Sequence, residues 1–259
     1  MKNLIYQYWI GTPKKEVALS TANLKAYADR IGADHMFELN PPPVRAKHPQ
    51  YYTAFGPVFD ERFDEYDNIL FCDCDIFAVE GLEENIFEQG IAGIGVVDEK
   101  HKEESHLTTT GHINHANDEL WAKNCAKLGF NVKRNHKGHV KIFNSGVVYY
   151  TRESREYARE NWIDFNRYID AQNNVPRYYA LDQNYLNAML SISKFTVMHP
   201  GWNCFVHYDG QPGITGRRPV HDGRGYNPKL IHCQLRGADD KGEKWHHTIV
   251  NRPVEEWDV

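Results

Sequence analysis

Residues Tyr66–Val79 read YDNILFCDCDIFAV, and the fold turns on this stretch. Ile69 to Cys72 is an apolar run short enough for a buried strand, and it ends in Asp73-Cys74-Asp75 before apolar sequence resumes. Side chains alternate along a strand, so Asp73 and Asp75 are expected on one side and Cys72 and Cys74 on the other. Two carboxylates converging at the end of a buried strand repel each other in a low dielectric. A divalent cation removes that penalty, and hard oxygen ligands suit Mg²⁺ or Mn²⁺. Open α/β sheets bind ligands outside the carboxyl ends of their strands, where this pair would lie. The stretch therefore predicts a metal–diphosphate site at the tip of a central strand.

The flanking sequence supports a sheet of this kind. Asn3 to Ile10 alternates and is rich in β-formers, and Gly11-Thr12-Pro13 closes it. Val17, Leu24, Tyr27, Ala28 and Ile31 recur at helical spacing, with Gly32 as the stop. Met36 to Leu39 predicts a second strand. A helix carrying Tyr52, Phe55, Phe59, Phe63 and Tyr66 on one face is expected to lead into the Asp-x-Asp strand. Such strand–helix alternation predicts a mostly parallel sheet with crossover helices. Ile91 to Val97 and Val140 to Tyr150 predict further strands, the latter broken at Asn144-Ser145-Gly146 by a bend or bulge. A long amphipathic helix with Ala158, Trp162, Phe165 and Ile169 inward follows. A second helix is expected over Leu181 to Leu190, and strands over Phe195 to His199 and Lys229 to Cys233. The acidic run Glu80 to Glu88 reads as a solvated helix face.

Two segments are different in kind. Asp98 to His139 is polar, with a helix expected around Glu119 to Leu128. It carries His101, His106, His112, His115, His136 and His139 at spacings that match no common zinc motif, so it reads as an exposed or substrate-facing loop. Residues 210–226, GQPGITGRRPVHDGRGY, suit a mobile lid or an anion contact. Without a repeat or a linker, the 259 residues read as one domain, 1–100 being the nucleotide-binding half and 101–259 the acceptor-side half.

Composition narrows the function classes. A net charge of −5 argues against an obligate nucleic-acid binder. Five scattered cysteines with no C-x-x-C pair signal neither a disulfide framework nor a structural zinc, and reduced thiols point to the cytoplasm. The apolar run at the N-terminus is too short for a signal peptide, and no segment reaches the roughly 20 apolar residues of a membrane span. A soluble protein with at most peripheral membrane contact is expected. The 15 tyrosines and 6 tryptophans could serve as carbohydrate platforms, although aromatic rings are also good core material.

Four separated segments then fall into order: Asp73-x-Asp75; Phe143 to Gly146 (FNSG); Leu181 to Asn187 (LDQNYLN); and Ile231-His232 followed by Gly237 and Lys244-Trp245. Together they resemble the GT-A glycosyltransferases. The resemblance is to the glycogenin and lipopolysaccharide galactosyltransferase-like family 8, of the small bacterial or large-DNA-virus type. That family carries D-x-D, F-N-[SA]-G-V, D-Q-D-x-L-N and a late H-x-x-G-x-x-K-P-W. The resemblance spans roughly residues 3 to 245 and implies an α/β fold, a Rossmann-like, mostly parallel sheet flanked by helices with a loop-rich acceptor-side half.

The resemblance also implies roles. Asp73 would lie near the ribose and the metal, Asp75 would bind the metal, and His232 would be the third ligand. Two carboxylates with one imidazole suit Mn²⁺, with Mg²⁺ as the other option. Gln7, Tyr8 and Trp9 would line the uracil pocket of a UDP-sugar donor. Asn144 and Ser145 would face the donor sugar, and Asp182 and Gln183 would hold its hydroxyls near the anomeric carbon. Lys244 and Lys241 would contact the diphosphate. The implied reaction is transfer of a sugar from a UDP-sugar to an acceptor hydroxyl on a glycan or glycoconjugate, with retention. Asn184 replaces the family's second Asp of D-Q-D, and the late motif has Lys244-Trp245-His246 without its proline. Asp182 could instead be a helix N-cap, and His232 a core histidine. The rival functions are a nucleotidyltransferase or sugar-nucleotide hydrolase using the same aspartates, and a binding module that has lost activity.

Overall fold

A computed structural model describes residues 1–99, 115–205 and 227–233. The first unit is strand β1 (Asn3–Trp9), helix α1 (Lys15–Ile31) and strand β2 (Asp34–Leu39). The helix ends at Gly32, whose φ of 69° is the left-handed conformation that glycine adopts without a Cβ penalty. Val17, Ser20, Leu24, Tyr27 and Ala28 form its buried stripe. Two short strands follow further on, β3 (Asn68–Cys72) and β4 (Ile76–Ala78), with the Asp73-Cys74-Asp75 turn between them. Then come β5 (Ile94–Asp98) and β6 (Phe143–Thr151), and finally β7 (Phe195–Val197), β8 (Cys204–Phe205) and β9 (Leu230–His232).

Six strands form the main sheet in the order β2-β1-β3-β6-β5-β7. The β1–β2, β1–β3 and β5–β7 pairs are parallel, whereas β6 runs antiparallel to both of its neighbours. The sheet is thus mostly parallel, as expected, with one reversed strand in its middle. Strand alternation divides the core into two layers. Leu4, Tyr6, Ile69, Phe71, Val148 and Tyr150 pack on one face, and Ile5, Leu70, Cys72, Val147 and Tyr149 on the other. A second sheet, which the sequence did not announce, has the order β4-β9-β8.

Several elements differ from the sequence reading. The helix expected through Tyr52, Phe55, Phe59, Phe63 and Tyr66 is instead a chain of short turns. It comprises α2 (Pro49–Tyr52), a 3-10 turn at Thr53–Phe55, α3 (Gly56–Phe59) and a second 3-10 turn at Glu61–Phe63. Pro57 has no N–H to donate, and its ring clashes with the carbonyl four residues back, so the helix restarts there. Phe59 consequently lies exposed. The long helix expected after β6 is two, α5 (Arg152–Asn161) and α6 (Phe165–Ala171), because the Asp164 side chain caps the second by accepting from the Arg167 N–H. Between β5 and β6 the helix α4 covers His115–Lys127. The acidic run Glu80–Glu88 is turn and loop with a 3-10 turn at Ile86–Glu88, not a helix face. Among the described residues no helix is long and apolar enough to cross a membrane. All five cysteines are buried thiols.

Candidate metal and sugar-donor site

Strand β3 ends at Cys72, so the two aspartates occupy the turn beyond it and not the strand itself. The turn nevertheless delivers both carboxylates to one place. Backbone bonds set it on two sides: Asp73 N–H donates to the Gly146 carbonyl at 2.8 Å, and Cys233 N–H donates to the Asp75 carbonyl at 3.0 Å. The second sheet supplies the third group, because β4 and β9 pair with Ile76 opposite His232, one residue beyond Asp75. Ligand atoms of Asp73, Asp75 and His232 all lie within 4.8 Å of one another. His232 Nε2 is 3.3 Å from Asp75 Oδ1. Burial alone disfavours the charged imidazole, yet the Asp75, Asp73 and Glu99 carboxylates outweigh it and raise the His232 pKa.

Gly146 makes the convergence possible. A Cβ there would stand 2.6 Å from His232 Cε1 and 3.0 Å from both Asp73 Oδ2 and Asn144 Oδ1. The break read in the sequence at Asn144–Gly146 is a bulge: β5 residues Gly95 and Val97 face Tyr149 and Asn144 of β6, so β6 carries extra residues between its two pairings. Two carboxylates and one imidazole around a glycine-lined space fit a divalent cation with mixed oxygen and nitrogen ligands, such as Mn²⁺ or Mg²⁺.

Beside this cluster lies α7 (Asp182–Met189). Its cap position is Leu181, so Asp182 stands in the first turn and does not cap the helix with its side chain. Asp182 Oδ2 instead accepts from Ser145 Oγ at 3.0 Å. Gln183 Oε1 accepts from Asn144 Nδ2 at 2.9 Å, and Gln183 Nε2 donates to Glu99 Oε2 at 2.9 Å. Asn144 and Ser145 are buried and hold Gln183 and Asp182 from β6. Asn184, where the resembling family has a second Asp, is enclosed in the helix. Burial, and after it the nearby Asp182 charge, pushes the pKa of Tyr8, Tyr52 and Tyr150 upward.

The three residues read from β1 separate. Gln7 is fully buried: its amide donates to Ser20 Oγ at 3.0 Å and to the Asp73 carbonyl at 3.2 Å, and its carbonyl oxygen meets His35 Nε2 at 3.2 Å. Gln7 therefore braces the Asp73 turn from within. Tyr8 and Trp9 are partly buried, with the Tyr8 hydroxyl donating to the Gln50 carbonyl and the Trp9 indole N–H to the Thr12 carbonyl. Lys241, Lys244, the 210–226 loop and His101, His106 and His112 lie outside the described residues.

Two residues at this site escaped the sequence reading. Asn203 is buried between His232 Nδ1 and Asn144 Oδ1, and nothing in its local sequence marks it. Glu99 is buried just after β5. An acidic residue at the carboxyl end of an apolar strand was the available signal, the same one that marked Asp73.

No family model matches the chain, and no curated protein matches it in sequence. Solved structures do. A glycosyltransferase involved in glycosylation of the major capsid of PBCV-1 superposes with a TM-score of 0.54 over 95% of this chain and 99% of that one, at 11% identity. The galactosyltransferase LgtC, in complex with donor and acceptor sugar analogs, gives 0.50 over 97% of this chain and 98% of that one, at 12% identity. The chain has a GT-A fold. On the GT-A sheet the order reverses about β1, with β2 on one side and β3 on the other. Asp73 follows directly from the carboxyl end of β3 at that switch point, the usual position for a ligand crevice.

Proposed function

We propose that this chain is a metal-dependent glycosyltransferase that moves a sugar from a UDP-sugar to a hydroxyl of a glycan or glycoconjugate, with retention at the anomeric carbon. The observation that carries the reading is the meeting of Asp73, Asp75 and His232 within 4.8 Å at the carboxyl end of a GT-A sheet. The Asp182–Gln183 pair is tied to the same bulge. The likeness in fold to a galactosyltransferase solved with donor and acceptor sugar analogs supports it.

In this reading Asp75 and His232 bind the metal, and Asp73 reaches both the metal and the ribose. Mn²⁺ or Mg²⁺, when bound, would neutralise the diphosphate and stabilise the charge that develops on the departing UDP. Gln183, clamped between Asn144 and Glu99, and Asp182, oriented by Ser145, hold the donor sugar's hydroxyls in a fixed pose. Tyr8 and Trp9 form the wall toward the base, and Gln7 braces the neighbouring Asp73 turn. Lys244 and Lys241 contact the diphosphate.

Calorimetry with UDP and a panel of UDP-sugars, each with Mn²⁺ and with EDTA, tests the reading. Binding that requires the metal is expected, with the tightest sugar naming the donor. Equal affinity in EDTA would remove the metal from the mechanism, and no binding at all would overturn the reading.

A further inference from the structure

The segment ahead of α2 displays cations from a clamped backbone. Val44 and Ala46 pack against the core, and the alternate residues Arg45 and Lys47 are exposed. One side chain of α6 fixes this display. Asn166 Oδ1 accepts from the Lys47 N–H at 2.9 Å, and Asn166 Nδ2 donates to the Arg45 carbonyl at 3.2 Å. The Ala46 N–H donates to the Val44 carbonyl at 2.8 Å, which closes the bend. A third exposed cation arrives from far along the chain. Arg177 opens a 3-10 turn, Arg177–Ala180, and the Tyr52 hydroxyl at the end of α2 donates to the Ala180 carbonyl at 2.9 Å. Burial first, then the positive charges of Arg177 and Lys47, lower the His48 pKa, so these side chains share one neighbourhood. Asp170 pairs with Lys47, whereas Arg45 and Arg177 have no carboxylate partner among the described residues. On a chain of net charge −5, cations gathered in this way repel one another, and a bound anion relieves the repulsion.

The patch borders the candidate donor site. The Arg177–Ala180 turn leads through Leu181 directly into Asp182 of α7. The Tyr8 hydroxyl donates to the Gln50 carbonyl of α2 at 2.9 Å, and Tyr8 and Tyr52 both lie within reach of the Asp182 charge. We propose that Arg45 and Arg177, with Lys47 beside them, form an acceptor subsite for an anionic group, so that the acceptor is a glycan carrying carboxylate or phosphate. Guanidinium groups suit this task, because their paired N–H donors match the oxygens of either anion. The clamp on Arg45 and Lys47 holds the backbone in place before the ligand arrives, which lowers the ordering cost of binding. The proposal rests on the glycosyltransferase reading for the sugar part of the ligand, and adds to it the acceptor's charge.

The test is calorimetry with three probes: a hyaluronan tetrasaccharide for carboxylate, a phosphomannan oligosaccharide for phosphate, and maltotetraose as the neutral comparison. The wild type is expected to bind one anionic probe about tenfold or more tightly than maltotetraose, the better probe naming the anion. That preference should fall steeply between about 50 and about 500 mM NaCl, as screening removes it. Arg45→Gln and Arg177→Gln, both at exposed positions, should each reduce the preference roughly threefold to tenfold. Arg177→Lys should keep more of it than Arg177→Gln, because the charge stays and only the planar fork is lost. Lys25→Gln removes an exposed charge from α1, which packs in the other core layer, and should change the preference less than about twofold. Equal affinity for the three probes, binding of none, or a preference that both arginine variants leave intact overturns the proposal. Capture on phosphatidylserine vesicles that both variants lose, without any glycan preference, would assign the patch to a membrane surface and overturn it as well. UDP with Mn²⁺ is titrated into the same samples and should bind within about threefold of wild type in every variant. A wild type that binds no UDP would sink the glycosyltransferase reading, even where the anion preference and its loss in both variants stood.

Discussion

Gly146→Ala is the smallest change that should damage the candidate metal site and little else. The added Cβ would meet His232 Cε1 at 2.6 Å, where ordinary contact begins at 3.4 Å, and would press Asp73 Oδ2 and Asn144 Oδ1 at 3.0 Å. Two of the three groups are held in place. The His232 ring is held between Asn203 and Asp75, and Asn144 between Gln183, Asn203 and the Gly146 N–H. Overpacking of this kind costs about 1–3 kcal/mol. If the strain is relieved by moving the ligands apart, the same energy appears as lost metal affinity, roughly 5- to 150-fold. Mn²⁺ calorimetry and thermal unfolding, run together, read both quantities. Gly95→Ala is the control, since its Cβ would crowd Ile91, Met198 and Tyr149 at 2.9 Å within the core. It should lower the unfolding temperature while leaving Mn²⁺ affinity within about threefold. Wild-type Mn²⁺ affinity in Gly146→Ala would refute the argument that this glycine is required by the metal ligands.

Two further outcomes follow from the same geometry. Asp75→Ala should fold and lose Mn²⁺ binding and transfer together, checked by calorimetry and by UDP release, and turnover retained at saturating donor would contradict its assignment as a ligand. His35, beside Gln7 on β2, has its pKa lowered to about 4, by burial first and by Lys25 second. Between that value and the ordinary 6.5 the unfolded chain binds a proton that the native protein does not, so stability rises with pH across this window and is lost as pH falls through it. Urea midpoints measured from pH 4 to 7 should show a shallower slope in His35→Gln, and parallel slopes would count against the assignment.

The sheet and the aspartate pair were legible in the sequence because both obey short-range rules. Apolar runs bounded by turn residues located β1, β3, β5 and β6, and an acidic pair after a buried strand located Asp73 and Asp75. Three things were not legible, each for a physical reason. A single proline outweighed the aromatic periodicity from Tyr52 to Tyr66, since a missing N–H and a steric clash are local and absolute whereas periodicity is a sum of weak preferences. The β4-β9-β8 sheet was not legible as a sheet: β9 lies within the strand expected over Lys229 to Cys233, but its partners β4 and β8 have only three and two residues, too short for an alternating pattern to register. Asn203 and Glu99 act through partners far away in sequence: Asn203 is 29 residues from His232, and Glu99 is 84 from Gln183. Gln7 lies on β1 as read, and its amide donates to the Asp73 carbonyl, a long-range contact that no local pattern shows.

The small sheet also separates what stabilises the fold from what builds the site. One edge of β4 pairs with β9 through Ile76–His232, Phe77–Ile231 and Ala78–Leu230. Among the described residues no strand pairs with the opposite edge, and helix α1 takes that place with side chains. Asn23 Oδ1 accepts from the Ala78 N–H at 2.7 Å, Asn23 Nδ2 donates to the Ala78 carbonyl at 3.0 Å, and Ser20 Oγ donates to the Ile76 carbonyl at 2.7 Å. Asn23 thus presents its amide to β4 as a neighbouring strand would present a peptide group. Asn23→Ala should cost about 1–3 kcal/mol, the penalty for two partly buried main-chain groups losing their partner. Mn²⁺ affinity should nevertheless stay within about threefold of wild type, because His232 hangs from the other edge and Cys233 N–H still donates to the Asp75 carbonyl. The contrast with Gly146→Ala is the point of the experiment. If Asn23→Ala weakened Mn²⁺ binding as much as Gly146→Ala does, the site would depend on the whole of β4, and the separation of its two edges would be wrong.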